Sequence, residues 1–410
     1  MASSARRIRA RPLPRLGVTF VRWSFARGAF WRGYWLLASV YLVEVADLPA
    51  SQLVLIGVGQ SAVVLVAELP AGVYADSVSR RRSLVVAHVI TGVGMVVLGL
   101  VTSFPALAWS QALCGLGWAF ASGADVAWIT DELDDPGATS RVLAVRARWE
   151  LIGAAAGLIG FGCVGWATDL RTGIVASGLM MLALGGVVAV RFPERHLALA
   201  DSRRRWRAGI SLLGDAVHLA RCDREILLVT AAWLFVNGSG EVYGRLLQKR
   251  LIGLDFGVGD GSILWFTALG LATMAVSSMA LRVVEHRIDD EDVARRSIIA
   301  CCAAGVVGLA LFALAVDARL VIAGVLLATG CMGPGAVVRA MTEIWVNRRT
   351  TSGVRATVHS LLAFSEHVGE IVFGGALAVV AATGGLTASI VGAAALLALA
   401  GGLVTRARPR

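Results

Sequence analysis

The sequence predicts an all-α polytopic membrane protein, and three observations predict it. The first is composition: of 410 residues, 57% are hydrophobic and 16% charged, with a mean hydropathy of +0.73, whereas a soluble domain is about half apolar and about a quarter charged. The second is the recurrence of apolar runs of about 20 residues, the length a helix needs to cross a bilayer. The third is a one-sided distribution of arginine among the connections between those runs.

Runs bounded by charge or turn residues predict spans at 27–46, 53–74, 83–102, 105–130, 148–168, 172–190, 226–246, 262–281, 297–316, 320–340, 355–380 and 386–405. The first follows the N-terminal arginines. The third opens on Arg81-Arg82-Ser83, and the fourth follows the short connection Thr102-Ser103-Phe104-Pro105. The fifth is preceded by Thr139-Ser140-Arg141-Val142, the ninth opens on Arg295-Arg296-Ser297, and the twelfth follows Thr383-Gly384-Gly385. Short connections alternate with longer charged ones, as antiparallel neighbours require. Of the 38 Lys and Arg residues, all but Arg171, Arg245, Lys249, Arg250 and Arg319 fall on the side that holds the N-terminus. The positive-inside bias therefore predicts that both termini and the 191–225 connection are cytoplasmic. Lys249 is the only lysine among abundant Ala and Gly, a bias that hints at a GC-rich bacterial genome and hence a bacterial cytoplasmic membrane.

The same distribution accounts for the net charge of +10. The arginines read as topology signals beside anionic membrane lipids, and no nucleic-acid partner is expected. Six cysteines, Cys114, Cys163, Cys222, Cys301, Cys302 and Cys331, form no C-x-x-C pair, and five lie in apolar runs. They read as small core residues, so neither a disulfide framework nor a metal site is expected. Arg6, Arg7, Arg9, Arg11 and Arg15 are not followed by a short apolar core with a cleavage site, so no removable signal peptide is expected. A P-loop needs Gly-Lys-[Ser/Thr], but Lys249 is followed by Arg250. Gly257-Val258-Gly259-Asp260 matches a protease string, yet it falls in an outer loop without a Tyr-Asp partner helix. Neither an enzyme nor a bound cofactor is expected.

Internal similarity organises the chain. Arg81-Arg82-Ser83-Leu84-Val85-Val86-Ala87 and Arg295-Arg296-Ser297-Ile298-Ile299-Ala300 open the third and ninth spans. Thr139-Ser140-Arg141-Val142 and Thr351-Ser352-Gly353-Val354 precede the fifth and eleventh. Two matches at nearly the same offset predict a duplication with two six-helix halves, residues 1–191 and 226–410. Between them, 192–225 is a cytoplasmic linker, basic at Arg203-Arg204-Arg205-Trp206-Arg207. Helical spacing of Ile210, Leu213, Val217 and Ala220 predicts an amphipathic helix there.

Between the second and third spans stands Gly72-Val73-Tyr74-Ala75-Asp76-Ser77-Val78-Ser79-Arg80-Arg81-Arg82. This resembles the G-x-x-x-D-[RK]-x-G-R-R signature of the major facilitator superfamily, in the loop where that family carries it. With Glu68-Leu69-Pro70 before it, Ser122 to Glu132 closing the fourth span, and Val354-Arg355-Ala356-Thr357-Val358-His359-Ser360 entering the eleventh, the chain looks most like a twelve-span drug-efflux-type branch. The resemblance implies a major facilitator fold and a gate motif at Gly72, Asp76, Arg80 and Arg81. Physically, Gly72 would permit close helix approach, and Asp76 would cap a helix N-terminus near Gly353 to Ala356. Arg80 to Arg82 would supply contacts that only a closed cytoplasmic face can use. The chain departs from the family pattern at Ser77 and Ser79, in place of a basic residue and a glycine. Gln111 stands where proton-coupled members often carry Arg, and the fifth span has Gly153, Gly157, Gly160, Gly162 and Gly165 but no Gly-Pro pair. Those glycines read as small faces for packing.

Ionisable residues inside a span are costly unless they face a cavity or a partner. Arg32, Glu241, Arg245, Glu366 and Glu370 are therefore the transport-pathway candidates, on the first, seventh and eleventh spans. Glu241 and Arg245 are four apart and suit an intrahelical pair, and Arg32 can snorkel. His367 points about 100° from Glu366 and is expected to be packed or solvated. Asp125, Arg148 and Glu150 are expected to form gate pairs at the cytoplasmic ends of the fourth and fifth spans. Glu366 and Glu370, one turn apart at low dielectric, disfavour double ionisation, which makes one of them the expected carrier of a coupling proton. The expected function is a monomeric secondary transporter exporting a small amphipathic compound, with protons as the coupling ion. A uniporter or importer of a metabolite, and a transporter-like sensor, remain as alternatives.

Overall fold

The computed structural model describes residues 12–196, 201–255, 262–285, 291–332, 337–349 and 352–407. Gly257 to Asp260, Thr351 and Arg6 to Arg11 lie outside them. Every element among the described residues is helical. The helices are α1 (Arg15–Glu44), α2 (Ala50–Ser77), α3 (Arg80–Leu100), α4 (Phe104–Ala121), α5 (Ala124–Leu133), α6 (Pro136–Ala167) and α7 (Leu170–Arg191). They continue with α8 (Ser202–Cys222), α9 (Arg224–Ile252), α10 (Ser262–Glu285), α11 (Glu291–Leu314), α12 (Ala318–Met332), α13 (Val337–Arg349) and α14 (Ser352–Arg406).

Several boundaries differ from the sequence expectation for identifiable reasons. The run 105–130 is two helices: Gly123 takes a left-handed φ of 72°, which starts α5 as a separate element. The run 320–340 is described as α12 up to Met332 and as α13 from Val337, which carries Arg339. Helix α1 begins twelve residues before the expected 27 because Arg15 and Arg22 continue the helix rather than end it. The last two runs form the single element α14, bent at Gly385, whose φ of 82° and ψ of 177° are open to glycine and strained for other residues. Helix α8 occupies 202–222; Ile210 is exposed on it, while the side chains of Leu213, Val217 and Ala220 lie outside what the structure describes.

Nine helices among the described residues are long and apolar enough to cross a membrane, the last being Thr357–Arg406 with its internal bend. Large apolar side chains such as Val66, Trp109 and Val190 face outward, each more than 70% exposed. Water would oppose such a surface; lipid does not.

The helices form two pseudo-symmetric sets that repeat the same close contacts. A Cβ on Gly94 would meet the Ser110 carbonyl at 2.7 Å, and one on Gly324 would meet the Gly308 carbonyl at 2.7 Å, so α3 packs on α4 as α11 packs on α12. Gly157 sits on the Ala29 carbonyl where α6 crosses α1, and Gly369 on the Leu234 carbonyl where α14 crosses α9. The Arg81 guanidinium donates to the Phe192 carbonyl at the end of α7 (3.5 Å), and Arg295 donates to the Val404 and Thr405 carbonyls at the end of α14 (3.4 and 3.2 Å). The duplicated Arg-Arg-Ser strings thus perform the same task, closing the C-terminal carbonyls of the last helix in each set.

The glycine face of α6 packs as expected at Gly153, Gly157, Gly162 and Gly165, but Gly160 faces open space. Because the Ala29 backbone cannot retreat, Gly157→Ala is expected to lower stability by about 1–3 kcal/mol, measured as thermal unfolding of the purified protein. Gly160→Ala is the control and should leave it unchanged.

Candidate functional site

A cavity of about 690 Å³ lies between the two sets of helices, lined from α1, α4, α6, α9, α10, α12, α13 and α14. Helix α1 supplies Arg32, Trp35, Leu36 and Ser39, the i, i+3, i+4, i+7 stripe of one helical face. Helix α9 supplies Trp233, Val236, Asn237, Gly240 and Gly244 on the same repeat. Helix α10 contributes Phe266, Leu269, Gly270 and Thr273. That span carries no charge on its cavity face, so a search for intramembrane charges passes over it.

Four of the five pathway candidates, Arg32, Glu241, Glu366 and Glu370, line this space. Arg245 does not. Its Nε lies 2.8 Å from Glu241 Oε1, its Nη2 donates to Gln60 Oε1 at 2.7 Å, and its guanidinium stacks 5.0 Å from the Trp35 ring. These partners pull it away from the cavity and into the seam with α2. Gly57 makes room there, since a Cβ at that position would collide with the Glu241 carboxylate.

Glu366 accepts from Arg339 Nη2 through both carboxylate oxygens, each at 2.5 Å. Arg339 also stacks 5.5 Å from the Trp233 ring. Its place in the cavity corrects its reading as a topology arginine. His367 is neither free nor paired with Glu366. Its Nδ1 lies 3.0 Å from Glu370 Oε2, because residues three apart return to one helical face. Ser61 of α2 lies within hydrogen-bonding reach of the same carboxylate.

At the end of the bundle that holds the termini, Asp125 is buried and meets Arg27 Nη1 at 3.2 Å and Arg146 Nη2 at 2.6 Å. Arg146 Nε in turn lies 3.6 Å from Glu150 Oε2. The expected partner Arg148 is exposed and takes no part. Residues 146 and 150 share a helical face, and 148 points away from it. Arg27 lies over the rings of Trp23 and Trp118, at 5.4 and 5.6 Å. Asp125 also sits in the first turn of α5, where the helix dipole favours an anion.

In the Gly72 to Arg82 segment, Arg80 links Asp76 (3.3 Å), the Ala127 carbonyl (2.8 Å) and the Asp131 carboxylate. Asp76 also pairs with Arg205 of α8 at 3.4 Å. The side chains of its expected partners, Gly353 to Ala356, lie outside what the structure describes. Gly72 makes no close helix contact: a Cβ there would meet nothing within 4 Å, and the buried face of α2 runs through Ala71 and Ala75 instead. Ser79, which replaces the usual glycine, caps α3. It accepts from Arg82 N at 2.9 Å and donates to Glu194 Oε2 at 2.6 Å. Gln111 is fully buried, and its Nε2 donates to the Tyr34 hydroxyl at 2.6 Å.

At the opposite end, the two sets touch through Lys249 and Asp47 at 3.6 Å and through the Arg245–Gln60 contact. Gly162 packs there against Thr267, and Gly165 lies 3.5 Å from Ile263 by its constructed Cβ.

A profile of the Major Facilitator Superfamily matches residues 24–374. In structure the chain is similar to a mutant form of the nucleoside transporter NupG, with a TM-score of 0.79 and 13% identity over 96% of this chain and 100% of that one. It is also similar to a bacterial homologue of the human lysosomal transporter Spinster in an inward-facing, unoccupied conformation, with a TM-score of 0.73 and 12% identity over 96% of both chains. A POT family transporter in complex with a thioalcohol-conjugated peptide gives a TM-score of 0.70 and 14% identity over 95% of this chain and 94% of that one. No curated protein sequence matches the chain. The two helix sets around a central cavity and the match over most of the chain agree: this multi-pass membrane protein belongs to the major facilitator superfamily, a transporter rather than an enzyme.

Proposed function

We propose that the chain is a secondary transporter that exports a small amphipathic compound by alternating access, with a proton as the coupling ion. The observation that carries this reading is the central cavity, built from both helix sets and holding three carboxylates beside aromatic walls. The transporter has twelve spans. To the nine long apolar helices it adds α1 and the shorter α12, and α14 counts as two spans, one arm on either side of Gly385. Residues 1–191 and 226–410 form its halves and 192–225 its linker.

Placed in a bacterial cytoplasmic membrane with both termini cytoplasmic, the contacts of Asp47, Gln60, Arg245 and Lys249 close the outward side. Arg80, Arg81 and the Asp125 cluster then brace the cytoplasmic end of the N-terminal half, and Asp76, which reaches Arg205 of the linker helix, is the gate group whose contacts change as the halves rock. Glu366 already has a fixed cation in Arg339, so the proton is held across Glu370 and His367, where both partners can titrate. Neighbours named as nucleoside and peptide transporters support a small organic solute.

The test begins with a susceptibility profile of cells overproducing the protein, which selects a compound. Inverted vesicles should accumulate that compound when a pH gradient is imposed and stop when the gradient is collapsed. Accumulation indifferent to the gradient would favour a uniporter.

A further inference from the structure

We infer that the cavity takes an organic anion, a flat and largely apolar molecule whose carboxylate is received by Arg32. The inference rests on the cavity being the solute site of the proposed transporter, and it adds the charge of the solute.

The argument is one of unmatched charge. Each carboxylate on the cavity wall already has a basic partner: Glu241 has Arg245, Glu366 has Arg339, and Glu370 has His367. Arg32 has no ion pair, hydrogen bond or ring contact among the described residues, although it is partly buried and faces the same space. A guanidinium in a low-dielectric span without a counter-charge is costly. A cationic solute would have to displace one of three existing partners and would leave Arg32 uncompensated. An anionic solute needs to displace nothing. The planar fork of arginine fits a carboxylate through two parallel hydrogen bonds.

The walls and the volume of the cavity describe the rest of the molecule. Trp118, Trp233 and Phe266 provide flat apolar walls. The volume of about 690 Å³ falls within the range of sites for drug-sized molecules.

The test uses three probes built on one naphthalene ring: naphthaleneacetate, its neutral amide and the corresponding naphthylethylamine. Binding to the purified protein in lipid nanodiscs is followed by quenching of the cavity tryptophans and by calorimetry. The carboxylate is expected to bind at least about tenfold more tightly than the amide or the amine. Arg32→Gln should remove that preference while leaving amide binding within about twofold, and Arg32→Lys should keep part of it. Without ligand, Arg32→Gln should unfold at the same or a higher temperature than the unaltered protein, because it removes an unpaired charge. A fall in that temperature would mark Arg32 as a structural residue and overturn the inference. So would amine or amide binding as tight as that of the carboxylate, a carboxylate preference that survives Arg32→Gln, or no carboxylate binding at millimolar concentration. Flux into liposomes separates the two readings. Arg32-dependent carboxylate binding without flux would sink the transporter and leave the anion site standing, whereas an amine that is both bound and moved would do the reverse.

Discussion

Glu370→Gln is expected to reduce gradient-driven accumulation in inverted vesicles to the level of protein-free vesicles, while counterflow exchange without a gradient is weakened far less. The amide keeps the shape of the side chain and can still accept a hydrogen bond from His367, but it cannot take up or release the coupling proton. His367→Gln should act in the same direction through the same pair, which spans 3.0 Å. Glu366→Gln should behave differently. It strands Arg339 as an unpaired cation on the cavity wall and, by disturbing the solute site rather than the proton, should change exchange and accumulation together. If the Glu370→Gln, Glu366→Gln double variant still accumulates compound against a gradient, the proton travels elsewhere. Gln111 offers no substitute: it is fully buried against the Tyr34 hydroxyl and cannot titrate.

Asp125→Asn is expected to be the most destabilising conservative change in the N-terminal helix set, by about 3–5 kcal/mol. It strips the shared counter-charge from Arg27 and Arg146 at a site where Asp125 is 4% exposed. Glu150 remains beside Arg146 at 3.6 Å and Arg27 keeps its tryptophan rings, which soften the loss without cancelling it. Thermal unfolding of the purified protein reads the effect. Combining Asp125→Asn with Arg146→Met should recover a large part of the loss, because removing both charges costs less than stranding one. A double variant as unstable as the single one would show that Asp125 acts through the start of α5 and not through its guanidinium partners.

How much of this could be read from the sequence depended on separation along the chain. Apolar length located the helices, and duplicated strings predicted a repeat that Arg81 and Arg295 now display as equivalent carbonyl contacts. The Glu241–Arg245 pair was legible because four residues make one helical turn. The link between His367 and Glu370 was equally local, yet it is hidden when His367 is compared with its neighbour Glu366 alone. Contacts between distant segments left no local trace. Arg27, Arg146 and Arg339 looked like three more topology arginines, and only packing brings them to Asp125 and Glu366. Backbone breaks were the other blind spot: a single left-handed glycine at 123 divides an apolar run that hydropathy reads as continuous. The cavity face of α10 was silent because it is uncharged, and the cap at Ser79 read as a departure from a motif when it is a helix start.

The bend at Gly385 sets how the last two arms of α14 can move. The chain reverses there without a loop, and the Ser389 hydroxyl at once clasps the Leu377 carbonyl across the hairpin at 3.0 Å. Farther along, Ser239 of α9 donates to the Ala393 carbonyl at 2.9 Å. The two contacts tie the second arm to the first arm and to α9. One arm carries Glu370, and the other is joined to α9 through Ala393. If Glu370 loads and unloads the coupling proton as proposed, a displacement begun there is expected to cross the helix set as a rigid-body stroke rather than a local adjustment.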